Sequence, residues 1–170
     1  MKILVVDDEL VSRTKMQMIM ESVGVCETAD CGSDAVGIFR KACEASEPFD
    51  LITLDILMPD MDGTKVLTQM REIEEERQVP KDRKAKIFMV TSLSKKDTII
   101  TCAQSGCDDF IIKPFTREIV TKKMIKSGLT AEGGAGANKK AARSQKDSRG
   151  PEKKSAFIET MIERFRRGDI

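Results

Sequence analysis

Asp50-Leu51-Ile52-Thr53-Leu54-Asp55-Ile56-Leu57-Met58-Pro59-Asp60-Met61-Asp62-Gly63 sets a short β-prone apolar run against an acid and then a turn. Asp50–Leu54 predicts a strand, because β-branched and aliphatic residues favour the pleated, buried surface of a sheet. Asp55 comes directly after it. Pro59 and Gly63 suit a turn, and the reading expects that turn to hold the acid at the surface.

Outward from this stretch the same design recurs. Lys2–Val6, Val25–Ala29, Lys86–Val90 and Asp108–Ile112 are further short apolar runs. Between and after them, amphipathic stretches predict helices near Leu10–Ser22, Ser33–Ala45, Thr64–Arg77, Lys95–Ser105 and Thr116–Lys126, several closed by Gly24, Gly106 or Gly128. Strand and helix therefore alternate as (βα)5, the pattern of an α/β doubly wound parallel sheet covered by helices on both faces. The polar stretch Glu72–Lys86 (EIEEERQVPKDRKAK) reads as a helix end and a long surface loop. Met16, Met18 and Met20 sit at period two inside a helix, so at most two of them are buried core filler.

Four of the five predicted strands hand over to particular polar residues: Asp7 and Asp8 after the first, Asp55 after the third, Thr91 after the fourth and Lys113 after the fifth. In an open parallel sheet the strand C-terminal ends share one edge, where ligands bind. Neighbouring strands are about 4.8 Å apart, which brings Asp8 and Asp55 within reach of one ion if the first and third strands are adjacent. Carboxylates that close repel unless a cation is shared, and a hard divalent cation with oxygen ligands, Mg²⁺, resolves the conflict. Phosphoryl transfer onto a carboxylate suits such a site. Asp55, the central acid, is the expected nucleophile, with Thr91 and Lys113 contacting the incoming anion.

Composition narrows the field. The chain has 170 residues, 34% of them charged, and no apolar run approaches the roughly 20 residues of a membrane span. Asp7 and Asp8 interrupt the N-terminal apolar run before a signal peptide could form, so a cytoplasmic protein is expected. Histidine is absent, which excludes His-based zinc sites and His-dependent triads. The five cysteines contain no C-x-x-C and are expected to be reduced, mostly core thiols. Residues 1–129 carry 19 Lys and Arg against 22 Asp and Glu, whereas residues 130–170 carry 10 against 6. An acidic body thus precedes a basic tail.

The motifs VVDDE at 5–9, LDILMPDMDG at 54–63, MVTS at 89–92 and FIIKPF at 110–115, in this order, resemble the response-regulator receiver family of two-component signalling. Within it, SKKDTIITCAQSG at 94–106 looks most like the chemotaxis single-domain regulators. The resemblance implies a flavodoxin-like (CheY-like) five-stranded sheet of order 2-1-3-4-5, with Asp55 as phosphoacceptor. It also implies Asp7 and Asp8 as the acidic metal pair, the Leu57 carbonyl as a further Mg²⁺ ligand, and Thr91 and Phe110 as switch residues. Lys113-Pro114 would be a cis peptide. The phosphoryl donor would be a phosphohistidine on a sensor histidine kinase or phosphotransfer protein. A downstream protein target would read the helix 4–strand 5–helix 5 face, for which Ile99, Ala103, Phe110, Ile112 and Lys123 are the expected contacts. Such a chain is a signalling switch rather than an enzyme acting on other substrates. A phosphatase of the haloacid-dehalogenase type also uses a nucleophilic Asp with Mg²⁺, but needs a second Asp two residues later, where this chain has Leu57.

The division expected is a receiver domain over 1–128, a flexible basic linker over 129–150 and a C-terminal amphipathic helix over 151–170. Phe157, Ile158, Met161, Ile162 and Phe165 form the stripe of that helix. The tail is too short for the usual DNA-binding output domain, so no DNA-binding domain is expected. Self-association or partner docking through the helix is one expectation. An adaptor role, with the helix as output and phosphorylation incidental, is the alternative function.

Overall fold

The computed structural model describes residues 1–92 and 96–129, residues 96–99 by their backbone alone, together with Glu159, Thr160, Glu163 and Arg167. The linker from 130 onward and the stripe Phe157, Ile158, Met161, Ile162 and Phe165 lie outside the described residues. So do Leu93 and the side chains of Lys95, Lys96 and Ile99. Glu159, Thr160 and Glu163 are helical and exposed.

Strands β1 (Lys2–Val6), β2 (Val25–Ala29), β3 (Leu51–Asp55), β4 (Lys86–Thr91) and β5 (Asp109–Ile112) alternate with helices α1 (Leu10–Met20), α2 (Gly32–Glu44), α3 (Gly63–Glu76), α4 (Lys96–Gln104) and α5 (Arg117–Lys126). The strands pair in parallel in the order β2-β1-β3-β4-β5. This is the doubly wound (βα)5 fold, and strand neighbours β1 and β3 flank the point where the winding reverses.

Side chains alternate between two cores. Leu4, Val6, Ile52, Leu54, Ile87, Met89 and Phe110 face α2, α3 and α4. Ile3, Val5, Leu51, Phe88, Val90 and Ile111 face α1 and α5, where Met16, Ile19, Met20, Val120 and Met124 meet them. Met16 and Met20 are buried while Met18 stays 64% exposed, as the helical period requires. Cys43, Cys102 and Cys107 are buried free thiols, and Cys26 and Cys31 are half-buried. Burial pushes the Cys102 thiol up to about 12, which leaves it inert.

Two boundaries shift in a way that matters. Asp55 and Thr91 are the last residues of β3 and β4 rather than the first residues beyond them, so the sheet itself fixes their backbones. The polar stretch after Glu72 is also less of a surface feature than its composition suggests, for Ile73, Glu74 and Ala85 are buried. Glu74 accepts from the Ala85 amide at 2.8 Å and from Arg71 at 2.8 Å. Arg71 in turn donates to the Gly106 and Ala85 carbonyls and to Asp108, tying α3 to the entries of β4 and β5. Among the described residues no helix is long and apolar enough to cross a membrane.

Candidate functional site

The C-terminal ends of β1, β3 and β5 deliver Asp7, Asp55 and Lys113 to one place. Lys113 Nζ lies 2.6 Å from Asp55 Oδ2 and 2.9 Å from Asp7 Oδ2. Asp7, Asp8 and Asp55 bring carboxylate oxygens within 4.8 Å of one another. Asp8 is exposed, whereas Asp7 and Asp55 are buried at 3% and 4% exposure. Asp55 therefore does not stand at the surface as its turn-rich surroundings suggested. It forms part of a pocket lined also by Asp8, Ser12, Leu57, Ser92 and Phe115.

That loop is shaped by its own residues. The Gly63 amide donates to the Ile56 carbonyl at 2.9 Å, closing the turn. A Cβ at Gly63 would strike the Asp55 carbonyl oxygen, so only glycine permits this approach. Asp62 caps α3 by accepting from the Thr64 amide at 2.8 Å. Leu57, 48% exposed, donates its amide to Asp55 Oδ1 at 3.2 Å.

Electrostatics make the site short of positive charge. Burial pushes the Asp55 carboxyl up from its ordinary value, even though the hydrogen bond and charge of Lys113 pull it down. Burial opposes the Lys113 charge too, but hydrogen bonds and charge from Asp55 and Asp7 outweigh it and raise the ammonium above its ordinary value. Two carboxylates, Asp7 and Asp55, share one lysine, and a third, Asp8, lies beside them. A hard divalent cation fits this donor set, since it would relieve the repulsion that one ammonium leaves.

The other expected residues are placed as follows. Thr91 is fully buried at the end of β4, one residue past Val90, the register partner of Asp55. Phe110 is fully buried on β5 within the α2–α3–α4 core. The Lys113-Pro114 peptide is cis. The expected partner-reading contacts need correction. Ala103, Phe110 and Lys123 are buried, and Lys123 turns inward to Asp109 because an ammonium so enclosed requires a carboxylate. Ile112 is half-buried. Ser12 and Arg13 escaped the sequence reading, yet Ser12 Oγ donates to Asp7 Oδ2 at 2.6 Å and Arg13 Nη1 to the Asp7 carbonyl at 2.7 Å. Their place at the start of α1, five and six residues after Asp7, was the available signal.

Comparison with known proteins agrees with this geometry. The family model for the response regulator receiver domain matches residues 3–125. The chemotaxis protein CheY of Listeria monocytogenes is 32% identical over 129 residues, covering 75% of this chain and 98% of that protein. The hybrid signal transduction histidine kinase L of Dictyostelium discoideum is 36% identical over 137 residues, 79% of this chain but only 8% of that kinase. Among solved structures, a chain of the CheX-CheY-BeF3-Mg²⁺ complex of Borrelia burgdorferi superposes with a TM-score of 0.64 at 27% identity, covering 76% of this chain and 90% of that one. The receiver domain of the Arabidopsis thaliana histidine kinase CKI1, complexed with Mg²⁺ and BeF3⁻, gives 0.63 at 26% identity, covering 74% of this chain and 89% of that one. With the sheet order, the site and these matches in agreement, the chain belongs to the response regulator receiver domain family of two-component signalling.

Proposed function

We propose that this chain is a phosphorylation-dependent switch in which Asp55 is the phosphoacceptor and Asp7, Asp8, Asp55 and the Leu57 carbonyl hold Mg²⁺. The observation that carries the reading is one lysine ammonium shared by two buried carboxylates at 2.6 and 2.9 Å, beside a third acid. The donor is a phosphohistidine on a sensor histidine kinase or phosphotransfer protein. An Asp55 oxygen attacks phosphorus, the new O–P bond forms as the P–N bond breaks, and the electron pair returns to the imidazole, which takes a proton from solvent. Bound Mg²⁺ supplies positive charge to the transferring group. Lys113, close enough to leave Asp55 for a phosphoryl oxygen, neutralises the product, and Thr91 donates its hydroxyl to it.

Switching follows from the same contacts. Thr91 drawn toward the phosphoryl group vacates space beneath α4, and Phe110, on the neighbouring strand, repacks there. A downstream protein reads the α4–β5–α5 face, in the cytoplasm, and the names of the CheY relatives support chemotaxis as the pathway. Phosphotransfer onto its own Asp55 and dephosphorylation of that group are the only reactions the site carries out on this reading. Incubation with radiolabelled acetyl phosphate and Mg²⁺ tests it. Wild-type chain is labelled, and Asp55→Asn, still folded by circular dichroism, is not. Label that survives the substitution overturns the nucleophile.

A further inference from the structure

Ser12 lies within α1, where a serine hydroxyl ordinarily bonds back to the carbonyl four residues earlier. It does something else here. Its Oγ donates to Asp7 Oδ2 at 2.6 Å, in a residue only 9% exposed. The next residue, Arg13, donates to the Asp7 carbonyl at 2.7 Å. Consecutive residues of α1 thus grip Asp7 by its carboxylate and by its backbone.

A carboxylate offers roughly four acceptor positions. On Asp7, Oδ1 accepts from the Glu9 amide at 3.0 Å, and Oδ2 accepts from Ser12 at 2.6 Å and from Lys113 at 2.9 Å. One position remains for a cation or a water bound to it. These donors differ in permanence. Lys113 is on a long side chain and also contacts Asp55, so a phosphoryl group on Asp55 competes for it. Ser12 is short, buried and fixed by the helix. It is also neutral, and orients the acid without adding positive charge that would oppose a metal ion.

We infer that Ser12 is a positioning residue of the phosphorylation site, whose hydroxyl holds the Asp7 carboxylate toward Asp8 and Asp55 in the unphosphorylated chain as well as after Lys113 turns to a phosphoryl group. This rests on the proposed Mg²⁺ site. Residues that orient metal ligands typically change metal affinity 10- to 100-fold when lost. The test is metal affinity of the full chain without any phosphoryl donor, read by electron paramagnetic resonance of free Mn²⁺ and by Mg²⁺ competition against it. Ser12→Ala is expected to weaken both ions about tenfold, whereas Ser12→Thr, which keeps the hydroxyl, stays within about twofold of wild type. Should Ser12→Ala fail to fold, Ser12→Cys, similar in shape but a weak donor, replaces it. Wild-type affinity in the variant lacking the hydroxyl overturns the inference. Equal weakening in Ser12→Thr also overturns it, since packing rather than the hydrogen bond would then govern the site. Absence of metal binding by the wild-type chain is a separate result, and removes the Mg²⁺ reading itself.

Discussion

The Lys123 ammonium lies 3.0 Å from Asp109 Oδ1, with both side chains more than nine-tenths buried, so α5 is joined to β5 by an ion pair inside the protein. The Phe110 amide shares the same carboxylate oxygen at 2.7 Å. Removing one partner of a buried pair takes the counter-charge from the other, at a cost of about 3 kcal/mol or more, while replacing both with apolar residues is often close to neutral. We expect Lys123→Met to lower urea stability by about 3 kcal/mol and Lys123→Met with Asp109→Leu to recover most of it. A double variant as unstable as the single one would show that the pair does not act as a unit.

Thr53 raises the opposite case. It is buried at 1% exposure in the centre of β3, and its hydroxyl has no hydrogen-bond partner among the described residues. Thr53→Val keeps the shape and removes the desolvated hydroxyl, so stability should rise by about 1 kcal/mol. Thermal melting with no gain or a loss would mean that the hydroxyl is satisfied in solution.

Asp60 reaches from the loop after Asp55 to the start of α2, accepting from the Gly32 and Ser33 amides at 3.1 and 3.0 Å and from Ser33 Oγ at 3.3 Å. Those amide hydrogen bonds hold its carboxyl below the usual value. A carboxylate depressed in the folded state contributes stability above its unfolded value, near 3.9, and loses it as pH falls through the folded value. Asp60→Asn should therefore melt below wild type at pH 7, with the gap closing below about pH 4. A gap that persists unchanged at pH 3 would assign the effect to shape rather than charge.

Sheet order and site were legible for different reasons. β1, β3 and β4 announce themselves because strands covered on both faces must be continuous apolar runs, and Asp7, Asp55 and Lys113 stand where those runs and β5 stop. What escaped depends on partners distant in the chain. Glu74 reads as one more surface acid in an acidic stretch, and only the fold reveals that Arg71 and the Ala85 amide enclose it. Lys123 likewise reads as an exposed helix lysine until β5 presents Asp109. Asp60 is a loop residue that caps a helix from 28 positions away, a relation no local capping pattern encodes.

The charge imbalance around Asp55 predicts how the metal-free protein responds to losing it. Because burial pushes its carboxyl up in spite of Lys113, the fold opposes the ionised form at neutral pH. A raised folded value means that the group's contribution is favourable below its unfolded value and lost as pH rises through the folded one. Asp55→Asn removes that opposed charge and leaves Lys113 its contact with Asp7. In excess EDTA at pH 7.5 the variant should melt above wild type, and Mg²⁺ should raise the wild-type melting temperature more than the variant's. A variant less stable than wild type under EDTA would mean that the Lys113 contact outweighs desolvation.

Leu57 bears on how long a phosphoryl group on Asp55 would last. Hydrolysis needs a water held in line with the O–P bond, and a polar side chain near the phosphorus is the usual means of holding it. Leu57 is two residues past Asp55, 48% exposed, and lines the same pocket. An isobutyl group there can neither donate to nor accept from water. Leu57→Asn puts an amide in nearly the same volume, without changing any of the three acids or Lys113. General acid–base or water-orienting groups contribute factors of roughly 10² or more when well aligned, and a group grafted onto an unprepared site gives a fraction of that. We expect autodephosphorylation to quicken by about threefold to tenfold in Leu57→Asn, measured as decay of radiolabel after removal of acetyl phosphate. Leu57→Ile, equally apolar, should decay at the wild-type rate. Equal rates in all three chains would show that this side chain does not control the attacking water.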